Sequence, residues 1–153
     1  VVVQEATDIM QGTLERNEIN VVVDVKQDAI IRGYFNEFSQ VLINLFNNSI
    51  DAFCNKKIKE RLIYIEIDTI TPRDAIINVS DNAGGIDEAI IDKIFEPYFT
   101  TKHKSSGTGI GLYMCEEIVV KHIKGKIKVS NEETIYENQK FIGALFEISI
   151  PIE

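Results

Sequence analysis

Asn36-Glu37-Phe38-Ser39-Gln40-Val41-Leu42-Ile43-Asn44-Leu45-Phe46-Asn47-Asn48-Ser49-Ile50-Asp51-Ala52-Phe53-Cys54-Asn55 is the stretch on which the reading of this chain turns. Its period is helical. Advancing about 100° per residue from Asn44 gathers Glu37, Gln40, Asn44, Asn47, Asn48, Asp51 and Asn55 on one face. Phe38, Leu42, Leu45, Phe46, Ile50 and Phe53 fall on the other, which suits a helix laid on a sheet. The polar face is rich in amides and nearly free of Lys and Arg. Asn is a weak helix former because its side chain competes for backbone hydrogen bonds. Asn44 and Asn48 are i,i+4 neighbours whose oxygens can converge on one point, and oxygen donors suit Mg²⁺ held together with phosphates and water. A solvated face with a chance Asn cluster fits the same pattern, and the helix alone does not choose.

Outward from this helix, Val1 to Glu15 reads as a helix with apolar Val2, Ala6, Ile9, Met10 and Leu14. Glu18 to Lys26 alternates like a strand, and Gly33 breaks the chain. Leu62 to Asp68 and Ala75 to Ser80 are β-like, joined by Thr71-Pro72-Arg73-Asp74 as a hairpin turn. Asp81 to Gly107 is irregular. Thr108 to Lys124 is helical, with Gly125 as the C′ residue and Lys121, His122 and Lys124 suiting the dipole of its last turn. Lys126 to Asn131 and Phe141 to Pro151 close the chain as strands. Without regular βαβ alternation this is an α+β fold: a mixed sheet with helices on one face.

Two glycine segments flank the irregular stretch. Asp81-Asn82-Ala83-Gly84-Gly85 follows a strand and puts an acid at the open end of the sheet, where ligands often bind, although the same residues form ordinary turns. Gly107-Thr108-Gly109-Ile110-Gly111-Leu112 leads into a helix, where alternate glycines let the backbone approach an anion. The spacing is neither a Walker A loop nor Gly-x-Gly-x-x-Gly. Between them, Phe95, Tyr98 and Phe99 are candidates to anchor the loop. Core packing is the plainer reading of Phe95 and Phe99. Lys102 and Lys104 are candidates to reach phosphates, and Lys104 reads equally as solvated.

The 153 residues, 44% hydrophobic and 26% charged, fit one globular domain and exclude a disordered or collagen-like chain. A net charge of −8 argues against general nucleic-acid binding. No apolar run is long enough to cross a bilayer, and Val1-Val2-Val3 followed by Gln4-Glu5 is not a signal peptide. Cys54 and Cys115 sit in helical patterns and read as two buried, reduced thiols. The chain starts at Val1 without Met and is read as a domain excised from a longer protein.

In this order and spacing the motifs are recognisable. Gln40 to Ser49 resembles the N box of sensor histidine kinases, Asp81 to Ile86 their G1 box, Ile94 to Lys102 the F box, and Gly107 to Leu112 the G2 box. The resemblance spans nearly the whole chain. It implies the two-layer α/β sandwich shared with gyrase B, Hsp90 and MutL, as a single domain over residues 1–153 with an ATP lid over about 82–110. Residue by residue, it implies that Asn48, helped by Asn44, holds Mg²⁺ bridging the ATP phosphates. Asp81 would accept a hydrogen bond from the adenine amine, and Gly85, with Ile86 after it, would line the base. Gly107, Thr108, Gly109, Ile110, Gly111 and Leu112 would face the phosphates, and Lys102 would touch them. Three departures stand out. Ala83 replaces the first G1-box glycine and is tolerable if its φ is negative. Asp51 stands where many relatives have a basic residue. Gly143-Ala144 stands where many have Gly-Thr, which removes a hydroxyl near adenine.

ATP-hydrolysing relatives carry Glu four residues before the Mg²⁺-binding Asn. Asn44 occupies that position and cannot accept a proton, so slow hydrolysis and transfer to a histidine are expected. His103 and His122 lack the setting of an acceptor. The acceptor would lie in a separate dimerisation and phosphotransfer domain upstream. The resemblance further implies a response-regulator receiver domain as partner and a homodimeric, cytoplasmic parent protein, with inner-membrane anchoring elsewhere in that protein left open. A gyrase- or Hsp90-like ATPase and a degenerate nucleotide-binding module without phosphotransfer are the alternatives. Steady phosphate release would mark the first, and absence of transfer to any acceptor the second.

Overall fold

The computed structural model describes residues 2–26, 35–54, 56–71, 73–97, 99 and 110–151. Among these, helix α1 (Val2–Arg16) leads into strand β1 (Ile19–Val25), and helix α2 (Phe35–Phe53) crosses to β2 (Arg61–Thr71). β3 (Asp74–Asp81) is followed by a single 3-10 turn at Ile91–Lys93. Helix α3 (Gly111–Glu116) continues as a π-helical turn, Glu117–His122, into β4 (Lys126–Tyr136) and β5 (Gln139–Pro151).

The strands form one sheet in the order β1-β2-β3-β5-β4. β1 runs parallel to β2, as a crossover through α2 requires, and every other pair is antiparallel. This is the expected mixed α+β sheet. Along β2, Ile63 and Ile65 are fully buried while Tyr64 and Glu66 are half-buried, so one face carries the core. Ile77, Val79, Phe146 and Ile148 continue that face, and Ala6, Met10, Leu14, Phe38, Leu42, Leu45 and Phe46 of the helices cover it. The opposite face carries a polar row, Asp24, Glu66, Asn78, Glu147 and Lys128, matched strand to strand by the register. Each large apolar side chain removed from water on the inner face contributes about 1.5–3 kcal/mol, which fixes α2 against the sheet.

The apolar stripe of α2 is buried as expected except for Ile50, which is half-buried. In α1, Val3 joins the core, whereas Ile9 is 65% exposed. The strands run longer than their alternation suggests. β4 and β5 meet through Glu137 and Asn138, with φ of 50° and 63°, a two-residue hairpin turn whose paired positive φ values match the strand twist. Glu is an unusual residue there, so the turn left no signature. The last helix is also corrected. It begins at Gly111, and its second half widens so that the Ile123 N–H donates to the Ile118 carbonyl. Lys124, at φ 66°, takes the left-handed position expected of Gly125. Gly125 is needed for another reason: a Cβ there would collide with the Ser149 carbonyl of β5.

Arg61 closes the helical layer. The last turn of α2 has no basic residue, and its carbonyls need partners. The Arg61 guanidinium donates to the carbonyls of Asn17 at 2.8 Å and of Phe53 and Lys56 at 3.2 Å, and lies over the Phe53 ring. A cation from β2 thus ties the ends of α1 and α2. Among the described residues no helix is long and apolar enough to cross a membrane.

Candidate functional site

Asp81 ends β3 and is only 7% exposed. Its carboxylate does not hang free. The Ser49 hydroxyl donates to Oδ2 at 2.9 Å, and the backbone N–H groups of Ala83 and Ala144 donate to Oδ1 at 3.1 and 3.4 Å. Burial pushes the Asp81 carboxyl up from its ordinary range. The donors from Ala83, Ser49 and Ala144, and the charge of Lys56, oppose that without cancelling it. The Ser49 bond matters for assembly: it joins the buried face of α2, one residue past Asn48, to the end of β3.

The turn after Asp81 is built to bring the chain close. Asn82 acts as an extra rung of the sheet: its Oδ1 accepts from the Leu62 N–H at 2.8 Å and its Nδ2 donates to the Glu60 carbonyl at 2.6 Å. Ala83 is buried and does not have a positive φ, so the condition set for this substitution is met. Gly84 and Gly85 have φ of 99° and 87°, which other residues rarely adopt. Ile86 is pinned at both backbone groups: its N–H donates to Asn131 Oδ1 at 2.7 Å, and its carbonyl accepts from Asn131 Nδ2 at 2.7 Å. Across the turn, Gly143 packs so tightly that a Cβ would collide with the Asp81 carbonyl. The Gly84 N–H donates to the Ile142 carbonyl at 3.1 Å. The Lys56 ammonium donates to the Ala83 carbonyl.

The amide face of α2 makes a second connection. Asn44 Nδ2 donates to the Gly111 carbonyl at 3.3 Å, while Asn44 Oδ1 accepts from Gln40 at 2.9 Å. Asn48 and Asp51 are half-buried on the same face, and the Asn48 carboxamide makes no hydrogen bond among the described residues. Leu112 packs against the core and Ile110 is half-buried. Cys115 lies fully buried beneath this junction. Burial pushes its thiol up to about 12, against a hydrogen bond from Asn44, and the S–H faces the Val41 carbonyl. Cys54, expected buried, is exposed just past the end of α2. Phe95 packs edge-on against Phe146, so the first aromatic of the loop serves the core. Phe99 also packs there. Tyr98, Lys102, His103, Lys104, Gly107, Thr108 and Gly109 lie outside the described residues. His122 is exposed at the end of the π turn.

Of the positions singled out in the sequence, the structure joins Asn44 to Gly111, sets Leu112 against the core, and places Asp81, Gly85 and Ile86 at and just after the end of β3. Sequence reasoning missed Ser49, Asn82, Asn131 and Gly143, which hold Asp81 and the turn after it. A buried hydroxyl and a sheet-bridging amide carry no local signature.

The family described as histidine kinase-, DNA gyrase B-, and HSP90-like ATPase matches residues 33–153. The chain belongs to this family. Among curated proteins, the two-component sensor PprA of Pseudomonas aeruginosa is 33% identical over 128 residues, covering 82% of this chain and 13% of its own length. The sensor histidine kinase ZraS of Salmonella typhimurium is 36% identical over 114 residues, 74% of this chain and 22% of its own. The chain therefore spans only a small part of these relatives. The catalytic domain of histidine kinase ThkA superposes with TM-score 0.80 at 28% identity, over 99% of this chain and 90% of that one. The α+β fold of this ATPase-family domain is thus that of histidine kinase catalytic domains.

Proposed function

We propose that this domain binds Mg·ATP and passes the γ-phosphoryl group to a histidine on a separate dimerisation and phosphotransfer domain. The observation that carries the reading is the Ser49–Asp81 bond of 2.9 Å, which fixes α2, one residue past Asn48, to a buried acid at the sheet's open end. The acid offers an acceptor for a base amine and the amides of α2 offer oxygens for a metal–phosphate unit. In this reading residues 1–153 form one domain whose lid covers about residues 82–110. Asp81 accepts from the adenine exocyclic amine. Gly85 and Ile86 lie along the base, and Asn131 holds them there. Asp51 continues the α2 face. Lys102, Gly107, Thr108, Gly109, Ile110, Gly111 and Leu112 serve the phosphates.

The donor set fits Mg²⁺. Asn48 is a half-buried carboxamide without a partner among the described residues, and Asn44 lies one helical turn away. Those residues form no cluster of His, Cys, Asp or Glu to hold a metal by themselves. Two neutral oxygens suit a cation that keeps its waters and shares the phosphates. Bound there, the metal neutralises charge on the transferring phosphoryl group. The chain's own part is to orient the nucleotide and exclude water. Asn44 supplies no base, so hydrolysis is slow and the acceptor histidine is a nucleophile that brings its own base.

The relatives named as two-component sensors, and the solved complex of ThkA with the response regulator TrrA, support a receiver domain as downstream partner. The parent protein is then a cytoplasmic-facing homodimer, with inner-membrane anchoring supplied elsewhere if at all. Nucleic acid and lipid are not partners of this domain in this reading.

Asn48→Ala should leave the fold intact and lower Mg·ATP affinity by at least about 10- to 100-fold, the scale already seen when only a group supporting a metal ligand is lost. Titration calorimetry with and without Mg²⁺ checks it, and equal affinity for variant and parent would reject Asn48 as the ligand. The pH dependence follows from Asp81. Its folded pKa is raised, so its contribution to stability is present below the unfolded pKa and is lost as pH rises through the folded one. Binding runs the other way, because only the carboxylate accepts from the amine. ATP affinity should fall on acidification through the raised pKa, at a higher pH than an ordinary Asp would give. Asp81→Asn, whose nucleotide phosphates titrate identically, should not show that component.

A further inference from the structure

The Asn44 carboxamide is engaged at both ends. Its oxygen accepts from Gln40 Nε2 at 2.9 Å, which orients the amide, and its nitrogen then points at the Gly111 carbonyl at 3.3 Å. Gly111 is the first residue of α3, and Asn44 lies in mid-α2, 67 positions earlier. Gly111 itself is not demanded by local geometry. Its φ is not positive, and a Cβ there would meet nothing within 4 Å. A glycine opening a helix without steric need lowers the stability of that turn, so the turn depends on outside support. Helix α3 is also short, six residues before the π turn, and has no side-chain cap at its start. Its other side-chain hydrogen bonds to α2 among the described residues are weak ones at the Cys115 thiol, which donates to the Val41 carbonyl and meets the same Asn44 amide.

We infer that Asn44 is a positioning residue for the phosphate-facing segment: its amide N–H holds the Gly111 carbonyl and so seats the first turn of α3 on α2, independently of any metal. This rests on the nucleotide reading for its purpose but not for its test. The amide oxygen keeps a second lone pair, so the same side chain can present oxygen to a metal while its nitrogen holds the turn. Metal loading and the seat of α3 would then act on one rigid amide.

Asn44→Asp separates the two roles, because it keeps an oxygen donor and removes the N–H. The experiment is NMR amide exchange of Met114, whose N–H donates to Ile110 across this first turn at 2.8 Å, in nucleotide-free protein. Exchange should quicken about three- to tenfold in Asn44→Asp, as for loss of one hydrogen bond, and similarly in Asn44→Ala. Gln40→Ala, an exposed substitution that only frees the amide to rotate, should act in the same direction by a smaller factor, and it guards against misfolding of the Asn44 variants. Unchanged Met114 exchange in all three overturns the positioning role. ADP titrations in EDTA give the second readout: Asn44→Ala, which brings no new charge near the phosphates, should weaken metal-free binding more than Asn48→Ala does. Metal-free binding weakened equally by both would also overturn it. Failure of the parent protein to bind any adenine nucleotide would instead reject the nucleotide reading and leave the exchange result standing.

Discussion

Asp81→Asn is expected to weaken ATP binding about 10- to 100-fold with the fold retained, the cost of losing a charged acceptor from a buried hydrogen bond. The change is close to isosteric. The Ala83 and Ala144 N–H groups still find an oxygen at Oδ1, and the Ser49 hydroxyl can reverse to accept from the new amide nitrogen. The groups that hold residue 81 in place are therefore satisfied in the variant. What changes is the polarity offered to the base: an N–H₂ now competes with the adenine amine for acceptors. Removing the carboxylate also relieves burial of a charge, so thermal stability at neutral pH should hold or rise slightly. Calorimetry with ATP and GTP is the check. The parent should prefer ATP, and the variant should lose most of that preference. Full ATP affinity with a normal melting curve would show that the base does not meet this carboxylate.

The second large effect is on folding. Gly143→Ala is expected to cost about 3 kcal/mol, at the upper end for overpacking a tight interior. For a domain of this size that lowers the melting temperature by roughly 6–12 °C. The added Cβ would overlap the Asp81 carbonyl, and a backbone carbonyl in a sheet cannot rotate away as a side chain can. β5 must move from β3 where Ala144 reaches Asp81, so nucleotide affinity should fall with stability. Gly111→Ala is the contrast. Its Cβ enters open space at an ordinary φ, so stability should be unchanged or rise by about 0.5–1 kcal/mol. Thermal melts of the two variants decide it. Comparable destabilisation by both would show that close approach at Gly143 is not what requires glycine.

The comparison of those glycines shows what could be read from the chain. Gly107 to Leu112 looked informative because three glycines alternate. Gly143 looked ordinary, yet it is the position where a side chain cannot fit. A close approach depends on which backbone lies opposite, and β5 meets Asp81 more than 60 positions away in sequence. Gly125 and Lys124 make the same point: the helix needed a left-handed residue and β5 needed a missing Cβ, and one position supplied each.

Much of the architecture was nonetheless legible. The stripe of α2, the alternation of β1 to β3, the Thr71–Asp74 turn and the motif order follow from periodicity and local turn chemistry, which act over a few residues and survive without tertiary context. The sequence by itself therefore determined the α+β class, the amide face of α2, the acid at the end of β3 and the family resemblance. Tertiary structure alone decided that Ser49 joins that acid to α2, that Asn82 and Asn131 shape the turn beside it, that Arg61 closes α2, and that Asn44 reaches Gly111. Each is a single hydrogen-bonding group satisfied by a partner far along the chain. Pairing of that kind is dictated by burial, where an unmet donor or acceptor costs most, and burial is known only once the sheet and helices have packed.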